Sequence, residues 1–277
     1  MSTGNPRIAP TAYFTAEMWA HAGFPDAGRF STPRGRFLLS GFRALSVVAG
    51  WALPPAVRKL EDSLCIRHAC FDAWIAEKSP DFTLELGAGL SARGLHACGR
   101  NPDITWIDVD LPHMVAAKQA LLGPLRLPER YHIVAGDLLS GDLSAGLPAQ
   151  PTPGQRVVAM TEGVTDYLSR EERGVAWRGI ADLLRRFGGG SYLVDIYPAE
   201  RLRAWPKGTS AAMGILGKVS GTPLEERVFE RTAEAEVMLR DSGFDSVERL
   251  DVERYNTSRW RLPEDVRLFD LVEARVG

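Results

Sequence analysis

The stretch LELGAGLSARG, Leu84 to Gly94, constrains the fold more than any other part of the 277-residue chain. Leu84 and Leu86 close an apolar strand pattern, FTLEL, and Gly87 and Gly89 follow at once. Glycine reaches backbone conformations closed to other residues, so a strand that ends this way turns sharply and brings its backbone against a ligand with no side chain between. Strand, open loop and helix in succession form the opening unit of an α/β sheet. The loop alone leaves the ligand open, because Gly87, Gly89 and Ala92 also satisfy the loose G-x-G-x-x-G/A form of the dinucleotide fingerprint.

From Phe82 onward, short β-type runs alternate with helical ones. The strand runs are FTLEL, ITWIDVD, YHIVAGD, RVVAMTEG and SYLVDIYP, and SARGLHACG, PHMVAAKQALLG and SREERGVAWRGIADLLRRFGGG between them have helical spacing. After the helical VFERTAEAEVMLRDSGF come two strand runs, SVERLDVE and VRLFDLVEARV, with no helix between them. Consecutive strands are best joined antiparallel, so the pattern predicts a Rossmann-like, seven-stranded, mostly parallel α/β sheet with an antiparallel edge strand. Residues 1–80 precede the first of these strands and read as helical, with VRKLEDSLCIRHACFDAWIAEK the clearest amphipathic segment. They form an N-terminal helical cap or lid, and residues 81–277 form the ligand-binding domain. GLPAQPTPGQ is a surface loop, because the strand rhythm resumes directly after it.

Composition narrows the partners. Lys and Arg total 33 and Asp and Glu 35, a net charge of −2, which gives no electrostatic footprint for nucleic acid. Three cysteines, Cys65, Cys70 and Cys98, cannot all pair and show no metal-ligand spacing, so they read as reduced core residues of a cytoplasmic protein with no metal. The N-terminus has no basic segment leading into an apolar one. The most hydrophobic run, FLLSGFRALSVVAGWALPP, is interrupted by Arg43, two glycines and Pro-Pro, which argues against a membrane span.

In an open α/β sheet, ligands sit beyond the carboxyl ends of the strands. Here those ends are acidic: Asp108-Val109-Asp110, Gly136-Asp137 and Glu162-Gly163. A carboxylate at the second strand end suits the ribose hydroxyls of any adenosine ligand. The next two separate the ligands, because carboxylates near the loop repel a dinucleotide's diphosphate and favour the sulfonium and ammonium of S-adenosylmethionine. Each acid taken alone also fits a solvated helix cap.

The stretches LELGAGLSARG, WIDVDLPHMVAAKQALL, VAGDLL and MTEGVTDYL, in that order, resemble the leucine carboxyl methyltransferase-like family, which includes bacterial O-methyltransferases of polyketide type, among the class I S-adenosylmethionine-dependent methyltransferases. TAYFTAEMW and IRHACFDAW are weaker likenesses. The resemblance implies S-adenosyl-L-methionine as cofactor, with Gly87 and Gly89 against its amino-acid end, Asp110 on the ribose, Asp137 and Leu138 at the adenine, and Glu162 near the methionine moiety. Arg67 matches the family arginine that pairs with the cofactor carboxylate, a role suited to a bidentate guanidinium, although a surface arginine on an amphipathic helix reads the same way. Tyr167 matches a family tyrosine that borders the substrate, and it is equally compatible with core packing. The chain departs from the family pattern at Ser91 and Ala92, where the family loop often carries an acid, and at Thr165 and Asp166, where it has apolar residues. Asp166 either polarises a substrate or caps the helix that begins near Ser169.

Methyl transfer to a carboxylate needs no base, whereas a hydroxyl needs one within hydrogen-bond reach. Of five histidines, His113 and His68 lie nearest the expected site, with His113 the candidate base, but a structural role fits each better, so the sequence names no base and leans toward an acid acceptor. Tyr197, Trp205 and Met213 are candidate lining of an apolar pocket under a lid and equally fit ordinary core contacts. The expected reaction is O-methylation of a carboxylate or hydroxyl on a small natural-product-like metabolite. The partners are that small acceptor and a second copy of the chain in a homodimer, with no nucleic acid and no membrane. The alternatives are a nicotinamide-dependent dehydrogenase and a non-catalytic S-adenosylmethionine-binding protein.

Overall fold

A computed structural model describes residues 9–48, 53–140, 142–144, 146–204, 227–255 and 267–277. Three helices lead the chain: α1 (Ala9–His21), α2 (Pro33–Val48) and α3 (Leu53–Lys78). Then come β1 (Phe82–Leu86), α4 (Arg93–Arg100), β2 (Thr105–Asp110), α5 (Pro112–Leu122), β3 (Tyr131–Ala135), β4 (Val157–Thr161), α6 (Arg170–Arg186), β5 (Gly190–Ile196), α7 (Ala199–Ala204), α8 (Thr232–Asp241), β6 (Ser246–Leu250) and β7 (Asp270–Val276).

The seven strands form one sheet in the order β3-β2-β1-β4-β5-β7-β6. β1 to β5 pair in parallel, and β7 runs antiparallel to both of its neighbours. The mixed edge read from the last two strand runs is therefore present, with the antiparallel strand one place inside the edge and β6 outermost. Both runs are shorter than the sequence pattern. SVERLDVE stays extended only to Leu250, after which Val252–Tyr255 coils into a 3-10 turn, and β7 begins at Asp270.

Alternation in the strands divides the core into two layers. Phe82, Leu84 and Leu86 of β1 pack with Ile107 and Val109 of β2 against Trp177, Ile180 and Leu184 of α6 and Leu239 of α8. On the opposite face Trp106 and Leu193 join Phe71 and Trp74 of α3 and Met18 and Trp19 of α1 in a second cluster. The leading helices thus share a core with the sheet. α6 starts where the sequence places it: Ser169 Oγ accepts from the Glu172 N–H at 3.2 Å while Glu172 Oε2 accepts from the Ser169 N–H at 2.8 Å, a reciprocal capping box. Asp166 is consequently not the cap of this helix, and that reading of it is corrected. Among the described residues no helix is long and apolar enough to cross a membrane.

The register of the sheet lines up its carboxyl ends. Val109 O accepts from the Gly87 N–H at 2.7 Å and Asp110 O from the Gly136 N–H at 2.9 Å, while Thr161 of β4 pairs with Val194 of β5, so that Glu162 and Asp195 follow side by side. α4 descends from the glycine loop so closely that a Cβ at Gly94 would stand 2.4 Å from Trp106 Cδ1 and 2.6 Å from Tyr131 Cε2. Trp106 cannot swing away freely, because its Nε1 donates to Asp108 Oδ1 at 2.9 Å in the buried layer. Gly94→Ala should therefore overpack the interface and lower stability by about 1–3 kcal/mol. A denaturant melt will show this as a lower midpoint with an unchanged slope, and an unchanged midpoint would mean that the indole gives way without cost.

Candidate functional site

The carboxyl ends of five parallel strands present, in spatial order, Asp137, Asp110, the Gly87–Gly89 loop, Glu162-Gly163 and Asp195-Tyr197. Gly87 has φ +71°, and a Cβ there would lie 2.6 Å from Val164 Cγ2, so the turn requires glycine on both counts. Over Gly89 the nearest atom to such a Cβ is Cβ of Ala12, at 3.3 Å, which places α1 directly against the loop.

Asp110 is tied to the loop it follows in space. Its Oδ2 accepts from the Gly89 N–H at 2.6 Å and its Oδ1 from the Leu111 N–H at 2.7 Å. Burial raises its pKa, against the lowering effect of those two backbone donors. Each oxygen retains acceptor capacity for a further hydroxyl. At the next strand end Asp137 Oδ1 accepts from the Leu139 N–H at 2.9 Å and Leu138 packs on the α6-side core.

Glu162 is the centre of a buried ion cluster. Its Oε1 accepts from Arg67 Nε at 3.1 Å, and its Oε2 accepts from Arg93 Nη2 at 2.8 Å and lies 2.9 Å from His68 Nδ1. Arg67 Nη1 also donates to Asp195 Oδ2 at 3.0 Å and to the Tyr197 hydroxyl at 2.5 Å. Arg93 completes the network through Glu85 Oε1 at 2.7 Å and Asp72 Oδ1 at 2.5 Å. Two guanidinium groups thus face four carboxylates, Glu162, Asp195, Glu85 and Asp72. Burial alone would raise the pKa of Glu162, but His68, Arg93 and Arg67 hold it well below the usual carboxylate range. Arg67 therefore is not a surface arginine; its side chain is 6 % exposed. Its Nε and Nη1 are committed to protein acceptors, and Nη2 lies beside Gly163, where a Cβ would approach it to 2.8 Å. Gly163 itself has φ +62° and donates its N–H to Asp195 Oδ1 at 2.9 Å.

Tyr167 lies half-buried in the 3-10 turn Thr165–Tyr167, its hydroxyl hydrogen-bonded with Thr11 of α1, and burial raises its pKa. His113 sits exposed in the first turn of α5, close enough to Asp110 for its charge to be felt there. His68 is instead buried, stacked on Trp19 at 4.1 Å and edge-on to Phe24 at 4.8 Å. Of the pocket candidates, Tyr197 joins the ion cluster; Trp205 and Met213 lie outside the described residues. Sequence reasoning missed Arg93, Asp195 and Glu85. The signal for the two acids is a charged residue at an inward-facing place in an apolar strand run, FTLEL and SYLVDIYP. Among the described residues, no group of three His, Cys, Asp or Glu side chains is arranged to hold a metal ion.

Residues 43–180 match the family model described as leucine carboxyl methyltransferase. No curated protein sequence matches the chain. Among solved structures, a DUF574 family protein from Streptomyces avermitilis MA-4680 is similar at 17 % identity and a TM-score of 0.58, covering 95 % of this chain and 97 % of its own. An O-methyltransferase family protein from Burkholderia thailandensis is similar at 16 % identity and a TM-score of 0.52, covering 94 % and 71 %. PigF with SAH is similar at 16 % identity and a TM-score of 0.53, covering 92 % of this chain, which spans 61 % of the length of that protein. At these identities the likeness is one of fold.

Replacing Glu162 by Gln leaves Arg67, Arg93 and His68 without their shared counter-charge. Breaking a buried pair on one side costs about 3–5 kcal/mol, so Glu162→Gln should lower the melting temperature sharply. The pH sign follows from the depressed pKa: Glu162 contributes stability above the ordinary carboxylate pKa, and that contribution is lost as pH falls. The wild type should therefore lose more stability than Glu162→Gln between pH 6 and pH 3, and parallel curves would contradict this.

Proposed function

As a member of the leucine carboxyl methyltransferase-like class I methyltransferases, the chain carries the fold of S-adenosylmethionine-dependent enzymes, and from that premise we propose that it methylates an oxygen, of a carboxylate or a hydroxyl, on a small natural-product-like metabolite. The observation that carries this reading is the excess of buried carboxylate over guanidinium beside the glycine loop. A sulfonium and an ammonium are favoured there, and a diphosphate is repelled. That same excess weighs against a nicotinamide dinucleotide.

S-Adenosylmethionine supplies an electrophilic methyl group when bound. The chain's own residues supply the rest. Asp110, held by two backbone N–H groups, would hold the ribose hydroxyls, with Asp137 and Leu138 at the adenine. Gly87 and Gly89 let the backbone close on the amino-acid end, where Glu162 offers negative charge. Arg67 would meet the ligand carboxylate through Nη2, in place of the bidentate grip read from the sequence, since Nε and Nη1 are taken. α1, in contact with Gly89 and Tyr167, forms with α2 and α3 the lid that excludes water, and Tyr167 positions the acceptor. His113 lies too exposed to be a shielded base, and its part is confined to the field at Asp110.

Calorimetric titration with S-adenosylhomocysteine, with NADH as control, tests the reading. S-Adenosylhomocysteine should bind at micromolar concentration and NADH not at all; binding of NADH alone would overturn the methyl-transfer reading. Asp110→Ala should weaken S-adenosylhomocysteine at least tenfold, the worth of about one charge-assisted hydrogen bond. An unchanged affinity in the folded variant would remove Asp110 from the site.

A further inference from the structure

Asp166 is the carboxylate that the ion cluster leaves over. Its two oxygens are buried and neither has a hydrogen-bond partner among the described residues. Arg173 Nη2 comes only to 3.6 Å of Oδ1; its Nε donates to Thr165 O at 3.0 Å and its Nη2 to Arg227 O at 2.7 Å. Arg173 is itself fully buried, and among the described residues its Nη1 also lacks a partner, as does Thr165 Oγ1. Buried polar groups are almost always paired, and a buried carboxylate without a donor is among the more costly exceptions. Nor is Asp166 the helix cap, since Ser169 and Glu172 fill that role reciprocally.

Its position supplies the reason for keeping it. Asp166 stands four residues past Glu162 and directly before Tyr167, at the carboxyl end of β4, and it feels the charges of Asp195 and Arg67 at the neighbouring strand end. We propose that Asp166 receives the hydroxyl of the methyl acceptor and takes its proton, which makes the acceptor an alcohol or phenol rather than a carboxylic acid. This rests on the methyl-transfer reading above and names the acceptor class within it.

The chemistry balances. The acceptor O–H proton passes to an Asp166 oxygen as the acceptor oxygen bonds to the methyl carbon and the sulfur–methyl bond breaks. The carboxylate becomes a neutral acid while the sulfonium becomes a neutral thioether, so one negative and one positive charge are lost together. A hydroxyl gives the carboxylate the donor it lacks, whereas a carboxylate acceptor would set a second negative charge against a buried one. Burial pushes the Asp166 carboxyl up to about 7, against Arg173, so the proton-accepting form appears near neutral pH. The charged groups facing it are Arg173 from α6, Asp195 from β5 and Arg67 from α3.

The test uses the full chain saturated with S-adenosylhomocysteine and two probe pairs, phenol with benzoate and 2-naphthol with 2-naphthoate, followed by calorimetry. The hydroxyl member of a pair should bind at least tenfold more tightly than its carboxylate twin. Asp166→Asn should erase that gap and leave the affinity for S-adenosylhomocysteine within twofold. Where a hydroxyl acceptor is turned over, kcat/KM should rise with pH through about 7 in the wild type and not in the variant. A carboxylate twin that binds as tightly or more so, or a gap that persists in Asp166→Asn, overturns the proposal. Loss of S-adenosylhomocysteine affinity in the variant would also overturn it, by assigning Asp166 to the cofactor. Failure of the wild type to bind S-adenosylhomocysteine is a different result and falls on the methyl-transfer reading.

Discussion

The structure depends on a layer of charge buried against one face of the sheet. Glu85 and Asp108 sit within strands, Glu162 and Asp195 at or near strand ends, and all four side chains are nearly inaccessible. Each such carboxylate costs several kcal/mol to desolvate unless a cation and hydrogen bonds meet it. The cations come from other elements: Arg67 from α3, Arg93 from α4 and Lys118 from α5, the last at 2.6 Å from Asp108 Oδ2. A mispacked helix would strand a charge on both sides, so the layer fixes which helix lies where in a way apolar packing alone does not. Glu85 shows how close the balance is. Burial pushes it up to about 7 although Arg93 stands 2.7 Å away.

The leading helices are held by the same layer. Arg67 reaches from α3 to the ends of both β4 and β5, and His68, next along the helix, touches Glu162 on one side and Trp19 of α1 on the other. α1 then returns to the site through Ala12 over Gly89 and Thr11 at Tyr167. The glycine loop, the acidic strand ends and the covering helix are consequently one mechanical unit. A ligand that displaced Arg67 would disturb α3, β4 and β5 together, which favours a ligand taking the one remaining guanidinium edge over one that pulls the side chain free.

Most of the fold was legible because apolar runs and helical spacing report where an element packs, as in FTLEL, PHMVAAKQALL and REERGVAWRGIADLLRR, although Glu85, Lys118 and Arg173 are buried along with the apolar residues of those elements. The strand-end acids were legible for a different reason: position at a carboxyl end is fixed once the strands are. What could not be read was pairing. Arg93 falls inside the helical stretch SARGLHACG and Asp195 inside the strand run SYLVDIYP, yet across the sheet they belong to one cluster through Arg67 and Glu162. Such contacts join residues more than sixty positions apart, and no local periodicity encodes them. The reach of SVERLDVE was overread because Arg249 to Glu253 alternates charged and apolar residues as a strand would, while β6 is outermost in the sheet and mostly exposed.

The contrast between Glu162 and Asp166 is the most telling electrostatic feature of the site. The two carboxylates leave the same strand end four residues apart, and burial pushes both upward. Glu162 meets two guanidinium groups and His68 at hydrogen-bond distance and is driven down; Asp166 has Arg173 beyond that distance, with Asp195 opposing it, and is pushed up by burial to about 7. Neighbouring acids whose environments push their pKa values apart divide the labour of a site: the low one is a fixed charge and the high one can exchange a proton. In this chain the fixed charge lies on the side of the glycine loop and the exchangeable one on the side of Tyr167. A cation held against Glu162 and an acceptor held against Asp166 would therefore meet past the end of β4, the proximity that a direct transfer requires.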